Sequence, residues 1–288
     1  MADRQQEQNG CGGGKMEYIA SFSGGKDSTA TVILAHEHNE PLNTIIFSEV
    51  MFDTDISGEL PEHIAFIREK CKPLFESWGY KVEILRAEKS YMDCFNHVVE
   101  KPRKNMQNAG KRAGFPMTGK CSINRDCKVK PINEYFKGKD LNQITQYIGI
   151  AIDEPKRLER LKTGKPAKIS LLEKYGYTEE MALELCRKYN LLSPIYEFAP
   201  RGGCWFCPNA RELELRHLRT HHKDLWERLR QLEREPDTIG NLWNTLEKKS
   251  IEDWEQYFYW ESAQMTIFDF PDALPDTERS RGHGKTEV

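Results

Sequence analysis

The sequence has no apolar run long enough to cross a membrane, because a spanning helix needs about 18 residues and the longest runs here are far shorter. It shows no signal peptide either. We therefore expect a cytoplasmic protein without membrane contact. Net charge is also low, at −3 for 288 residues, so the molecule as a whole has no bias toward nucleic acid or an anionic surface.

Disulfides are not expected, although the chain has eight cysteines, because thiols stay reduced in the cytoplasm. The composition, 38% apolar and 30% charged, suits a folded α/β domain with an appendage. We predict a nucleotide-binding domain over 16–200 and a helical C-terminal subdomain over 201–270. The segments 1–15 and 271–288 lack periodicity, and we predict that both are disordered.

The most informative stretch is a double-glycine turn between a strand-like run and a helical run. Two adjacent glycines let the backbone approach an anion, while hydroxyl and ammonium groups add donors and the next helix points free N–H groups at the same place. Its six residues are Ser23, Gly24, Gly25, Lys26, Asp27 and Ser28. The turn resembles the SGGxDS pattern of the PP-loop superfamily, whose members act on adenine nucleotides at the α-phosphate bond. A plain strand-to-helix turn without a ligand is the alternative.

Short β-branched runs alternate with longer amphipathic ones through most of the chain. The predicted strands are 17–22, 43–48, 81–87 and 143–152, and the predicted helices between them are 28–37, 60–78, 92–101 and 129–137. This order predicts an α/β fold with a Rossmann-like parallel sheet, and the glycine turn would then lie at the carboxyl edge, where such sheets bind ligands. Beyond the sheet we predict helices at 178–189, 209–234 and 251–262.

A basic segment spans residues 101–130, with nine Lys and Arg against a single acid, Asp126. Its glycines and its lack of apolar periodicity predict a long mobile loop, which is usually functional. It could close over nucleotide phosphates, contact a nucleic-acid backbone, or be a solvated loop without a ligand. Only Phe115 is available for base stacking, so base recognition is not expected.

Two cysteine pairs have the spacing of metal ligands. Cys204 and Cys207 form a Cys-x2-Cys knuckle, and Cys121 and Cys127 are separated by five residues. Four thiolates suit either an iron–sulfur cluster or a tetrahedral zinc ion. The third possibility is that these cysteines bind no metal. The cysteines inside predicted helices are expected to be ordinary core thiols: Cys71, Cys94 and Cys186.

Several segments, taken in order, are similar to the phosphoadenosine phosphosulfate reductase-like branch of the PP-loop superfamily over residues 18–210. Residues 47–53 resemble its second strand end, and 121–131 resemble its Cys-Thr-x-x-x-Lys segment. Residues 149–157 resemble its Gly-x-x-x-Glu-x-x-x-Arg segment, and 201–208 resemble the knuckle of its cluster-bearing members. The resemblance implies the adenine nucleotide alpha hydrolase type of sheet.

The expected chemistry follows from charge. Breaking the bond at the α-phosphate of ATP or of an adenylyl sulfate builds charge on a leaving oxygen, which N–H donors and cations stabilise. The glycine turn would supply the donors, with Lys26 and Asp27 as catalytic residues, and Asp27 would either orient the loop or hold Mg²⁺. Lys128, Lys156 and Arg157 are further predicted nucleotide contacts.

One departure from the family pattern narrows the function. Its assimilatory reductases carry a catalytic cysteine near the C-terminus, whereas no cysteine follows Cys207 here. Sulfur transfer is therefore favoured, with a sulfur donor protein or a nucleic acid bound at 101–130 as partners. Reduction of an adenylyl sulfate and an ATP-binding, nucleic-acid-associated module remain alternatives. His217 and His221 are four residues apart on a predicted helix, but such histidines are common and we predict no metal there.

Overall fold

The computed structural model describes residues 16–117, 121–244 and 248–269, without the side chains of 264–269. The predictions of disorder for 1–15 and 271–288 lie outside these ranges. Within them, no helix combines the length and the apolar character that a bilayer span requires.

Five parallel strands form the main sheet, and two short strands pair separately. The strands are β1 (Glu17–Phe22), β2 (Thr44–Glu49), β3 (Lys81–Arg86), β4 (Arg112–Gly114), β5 (Ile144–Ile148), β6 (Ala167–Ile169) and β7 (Thr238–Gly240). The order in the main sheet is β3-β2-β1-β5-β6, and β4 pairs with β7. This arrangement confirms the predicted α/β fold with a Rossmann-like parallel sheet.

Helices cover the sheet and form the C-terminal part. They are α1 (Lys26–Glu37), α2 (Pro61–Ala65), α3 (Lys72–Ser77), α4 (Tyr91–Phe95), α5 (Lys130–Phe136), α6 (Pro155–Leu161), α7 (Leu171–Tyr175), α8 (Glu179–Lys188), α9 (Glu212–His221), α10 (Lys223–Glu233) and α11 (Ile251–Asp269). A π-helical turn, Phe66–Cys71, joins α2 to α3, and another, Asn124–Val129, leads into α5. The predicted helix 60–78 is therefore one continuous helical stretch.

Two main hydrophobic cores organise these elements. The first packs α1, α3 and α8 on one face of the sheet and contains the buried thiols Cys71 and Cys186, as predicted. A small third cluster, with Phe136 of α5, covers the opposite face. The second main core joins α9, α10 and α11 to α4 and to the segment around Trp205.

Two predicted helices are wrong in extent. The leucine stripe over 209–234 predicts one helix, but the chain breaks at His222, where φ is −129° and ψ is 61°. Leu218 and Leu225 are buried on either side of this break, so the stripe continues while the helix does not. The helix predicted at 92–101 ends at Phe95, because the following residues pair with the chain around β4.

The predicted loop at 101–130 is not one unstructured loop in the described part of this segment. It contains β4 and the π-helical turn before α5. Arg112 is tied to Glu235 at 2.8 Å, and Arg125 is paired with Asp126. Phe115 is not available for stacking on a base, since it is buried in the second main core.

Candidate functional site

The glycine turn lies at the carboxyl edge of the sheet, between β1 and α1. Strand order reverses between β1 and β5, and the crevice at such a reversal is where open α/β sheets bind ligands. The segment after β5 closes against the turn, because a Cβ on Gly149 would lie only 2.6 Å from the carbonyl carbon of Asp27. Glycine at 149 is therefore needed for the two segments to touch.

Gly24 is fixed by its conformation and by its surroundings. Its φ is +73°, which residues with a side chain rarely adopt. A Cβ there would lie 2.6 Å from Cε1 of His63 and 2.8 Å from Cδ1 of Ile67. Both constraints require glycine at this position.

Two serines shape the turn. The Ser28 hydroxyl donates to the Gly25 carbonyl at 2.9 Å and accepts from the Ser23 N–H at 3.1 Å. The Gly25 N–H points to Oγ of Ser23 at 3.4 Å. Ser28 is buried and Ser23 is exposed, so Ser28 holds the turn together and Ser23 has access to solvent.

The Lys26 ammonium is held between two carboxylates. Its Nζ lies 2.6 Å from Oε2 of Glu179 and 3.1 Å from Oδ1 of Asp27. Burial lowers the pKa of Lys26, but the hydrogen bond to Glu179 and the charge of Asp27 outweigh this effect, and the pKa is raised. The side chain is therefore a cation at neutral pH, while the Lys26 backbone N–H donates to Oη of Tyr196 at 2.8 Å.

One further carboxylate, that of Glu154, lies near Asp27. Burial raises the pKa of Asp27, Lys26 opposes the effect, and the charges of Glu179 and Glu154 add to it. Oε2 of Glu154 is buried and has no hydrogen-bond partner among the described residues. Oxygen ligands of this kind suit Mg²⁺, so the residues present fit the predicted ion.

His63 is a site residue for which the sequence gives no signal. It is 2% exposed, its Nε2 lies 3.0 Å from the Ser23 carbonyl, and its Nδ1 lies 2.8 Å from Oγ of Ser193. Burial lowers the pKa of His63, so the ring is neutral at pH 7. Nε2 then carries the proton, which it donates to Ser23, and Nδ1 accepts from the Ser193 hydroxyl.

The same imidazole also lies beside the chain that leads into the cysteine knuckle. A Cβ on Gly202 would lie 3.7 Å from Nε2 of His63, and Gly202 is two residues before Cys204. Cε1 of the same ring lies against Gly24. One side chain therefore contacts both the glycine turn and the chain that leads into the knuckle.

The three predicted basic contacts lie in two places. The charge of Lys128 lowers the pKa of both His63 and the Cys204 thiol, so Lys128 lies near the turn and the knuckle. Lys156 and Arg157 are exposed on α6. Arg157 is paired with Glu154 at 2.5 Å. Glu154 is the carboxylate whose charge raises the pKa of Asp27.

The four predicted cysteine ligands lie near one another, together with a fifth. Cys121 interacts electrostatically with both Cys204 and Cys207. Sγ of Cys127 lies 3.8 Å from Sγ of Cys94. Cys94, for which the sequence predicts an ordinary core thiol, is thus part of the group, and its pKa is lowered because the Cys127 thiol hydrogen-bonds to it.

A buried tyrosine hydroxyl faces these thiols. Tyr91 is fully buried, and its Oη has no hydrogen-bond partner among the described residues. Burial raises the pKa of Tyr91, and the charges of Cys121, Cys204 and Cys94 raise it further. An unpaired O–H in a group of free thiols fits a centre whose sulfur atoms accept a hydrogen bond.

Comparisons with known proteins give a likeness to solved structures only. No protein-family model and no curated protein matches the chain. Among solved structures, the chain is similar to the U34-tRNA thiolase NcsA from Methanococcus maripaludis with its [4Fe-4S] cluster, at 16% identity and a TM-score of 0.38, over 85% of this chain and 72% of that chain. A likeness at that score supports no conclusion about activity.

Proposed function

We propose that the chain is a PP-loop enzyme that binds an adenine nucleotide at residues 23–28 and acts at its α-phosphate bond in sulfur transfer. The observation that carries the proposal is the position of His63, which touches both the glycine turn and the chain of the knuckle. A phosphate bound at the turn and a sulfur atom held by the cysteines would then be neighbours.

In this proposal the residues of the turn stabilise the charge that develops on the leaving oxygen. Lys26 supplies the cation and the glycine backbone supplies N–H donors. For phosphate to bind, the Lys26 ammonium must leave the Glu179 carboxylate and pair with the phosphate instead. The Lys26 backbone N–H must likewise release the hydroxyl of Tyr196. Mg²⁺ held by Asp27 and Glu154 would neutralise phosphate charge when bound.

The cations around the turn extend the same binding surface. Lys128 is placed to attract a phosphate or sulfate group between the turn and the knuckle. Lys156 and Arg157 would contact the outer phosphates, provided that Arg157 releases Glu154, whose ion pair is half-exposed and therefore weak.

We further propose that the cysteines hold an iron–sulfur cluster rather than zinc. Four thiolates bound to one zinc ion at 2.3 Å lie about 3.8 Å from one another. Cys94 and Cys127 have that separation, but among the described residues no three cysteine sulfurs lie within 4.8 Å of one another. The wider spread suits a cluster, which these cysteines would hold, and the unpaired hydroxyl of Tyr91 would supply a hydrogen bond to its sulfur.

The acceptor is proposed to be anionic, with a nucleic acid as the first candidate. A cavity of about 420 Å³ lies beside Cys94 and is lined by three cations, Lys89, Arg125 and Lys130, against two acids, Asp93 and Asp126, so that a small positive excess remains. Such a cavity would attract an acceptor, or the terminal segment of a sulfur donor protein, to the thiols.

The test combines metal analysis with turnover on the same anaerobic samples. Iron, zinc and acid-labile sulfide are measured for the parent, for Lys26→Ala, for Cys204→Ser and for Lys188→Ala, whose lysine is exposed on α8. We expect Lys26→Ala to abolish turnover with its metal content intact, Cys204→Ser to lose metal, and Lys188→Ala to match the parent.

The product identifies the reaction. Pyrophosphate from ATP supports sulfur transfer, sulfite from an adenylyl sulfate supports the reductase alternative, and tight ATP binding without turnover supports the nucleic-acid-associated module. Turnover of Lys26→Ala at the parental rate would contradict the assignment of the glycine turn.

A further inference from the structure

A second group of metal-binding side chains lies apart from the cysteines. Ligand atoms of Glu62, His217 and His222 are all within 4.8 Å of one another, and in the described part of the chain this is the one such group of His, Cys, Asp and Glu. Nε2 of His217 contacts Oε1 of Glu62, and Nε2 of His222 lies 2.9 Å from Oε2 of the same carboxylate.

The helix break assembles this group. His217 and His222 are five residues apart. In one continuous helix they would project about 140° apart around the axis and would therefore point in different directions. The break at His222 turns its ring to the side of His217. The ring of His217 is itself fixed, because it stacks on Phe198 with centroids 3.6 Å apart and planes 4° apart.

We propose that Glu62, His217 and His222 bind a divalent transition-metal ion of the zinc class. Two imidazoles and one carboxylate form a common three-residue zinc set, in which the fourth position is left to water or a ligand. The side chains are 19% to 23% exposed, so an ion can reach them and a water can complete its coordination.

The position of this site suggests what the ion does. Glu62 lies in the first turn of α2, next in the chain to His63, which holds the glycine turn. His217 and His222 belong to the C-terminal helices. The ion would therefore fasten the C-terminal helices to the start of α2. This inference does not depend on the proposed reaction.

The test is a titration with Co²⁺ of metal-free full-length protein, followed by absorption spectroscopy. Bound to nitrogen and oxygen ligands, Co²⁺ gives d–d bands without the near-ultraviolet charge-transfer band that thiolates produce, so the two kinds of site are distinguished. We expect one such ion per chain. His217→Gln and His222→Gln should weaken its binding by more than about 100-fold, the upper figure for losing only a hydrogen-bonding partner of a ligand.

The matched control is His221→Gln. His221 lies on the same helix, with its ring 4.6 Å from that of His217, but outside the three-residue set, and this variant should bind Co²⁺ as the parent does. Cys204→Ser should also keep the site, whatever happens to the proposed cluster. With Cys204→Ser present in every sample to impair zinc binding at the cysteines, Zn²⁺ should raise the melting temperature of this variant and of its combination with His221→Gln, but raise it less in combination with His217→Gln or His222→Gln.

Two results would overturn the inference. One is cobalt binding that shows only the thiolate band; the other is equal affinity of His217→Gln, His222→Gln and His221→Gln for Co²⁺. If either glutamine variant fails to fold, Glu62→Gln carries the same test, because it keeps the size of the side chain and removes the anionic ligand.

Discussion

Replacing Gly24 by alanine tests the geometry of the glycine turn most directly, because the chain offers a matched control. Gly176 has a φ of +74°, almost identical to the +73° of Gly24. A Cβ on Gly176 would meet nothing within 4 Å, whereas a Cβ on Gly24 would lie 2.6 Å from His63 and 2.8 Å from Ile67. The two substitutions therefore share their backbone strain and differ in steric overlap.

The expected magnitudes follow from this difference. An alanine in the left-handed region costs about 1–2 kcal/mol, and this is the whole expected loss for Gly176→Ala. Forcing a methyl group into a packed site costs about 1–3 kcal/mol more. Gly24→Ala should therefore lower the free energy of unfolding by about 2–5 kcal/mol.

Urea unfolding followed by circular dichroism measures both variants, and ATP binding is measured on the same samples below the unfolding transition. Gly24→Ala should bind ATP more weakly, because relief of the overlap moves the turn away from His63. Gly176→Ala should bind as the parent does. Equal stability losses in the two variants would show that the turn does not press against His63 and Ile67.

Two further predictions concern groups that face the turn. His63→Gln should cost about 1–3 kcal/mol, since a buried partner is left unsatisfied, and it should also weaken the response to acid. The folded pKa of His63 lies below the ordinary value of 6.5, so between the two values the unfolded chain binds more protons and stability falls as the pH falls through that window. Urea midpoints measured across this pH range should fall more for the parent than for His63→Gln, and parallel curves would contradict the prediction. Glu179→Gln removes a competitor for Lys26 and should tighten ATP binding about 1.4- to 5-fold, as expected for a half-exposed pair worth about 0.2–1 kcal/mol. Glu180→Gln, the exposed neighbour, should have no effect in the same calorimetric titration, and weaker binding by Glu179→Gln would count against a phosphate at Lys26.

The sheet was predictable because its signal is local. Runs of alternating or continuous apolar residues mark β1, β2, β3 and β5 to within a few residues at each end. The strands that the sequence does not reveal, β4, β6 and β7, are three residues long each, too short for any periodicity. The break at His222 is hidden for a related reason, because the leucines on both sides keep a helical spacing while the backbone departs from it.

The glycine turn was predictable because it is contiguous. Residues 23–28 stand together in the chain and can be identified from their types and order. The groups that engage them come from far away: His63 is 40 residues from Ser23, Glu179 is 153 from Lys26, and Tyr196 is 170 from Lys26. Such partners are set by the packing of the fold, and nothing in their local sequence marks them.

The chain at the start of α2 connects the C-terminal part to the glycine turn of the sheet domain. Glu59 pairs its backbone with that of Cys204, Glu62 joins the two histidines, and His63 holds Ser23. Within five residues of chain, two of these contacts reach the C-terminal part and one reaches the glycine turn. This short stretch of chain therefore contacts the turn, the segment of the knuckle and the histidine pair, so its position is fixed jointly by the sheet domain and by the C-terminal helices.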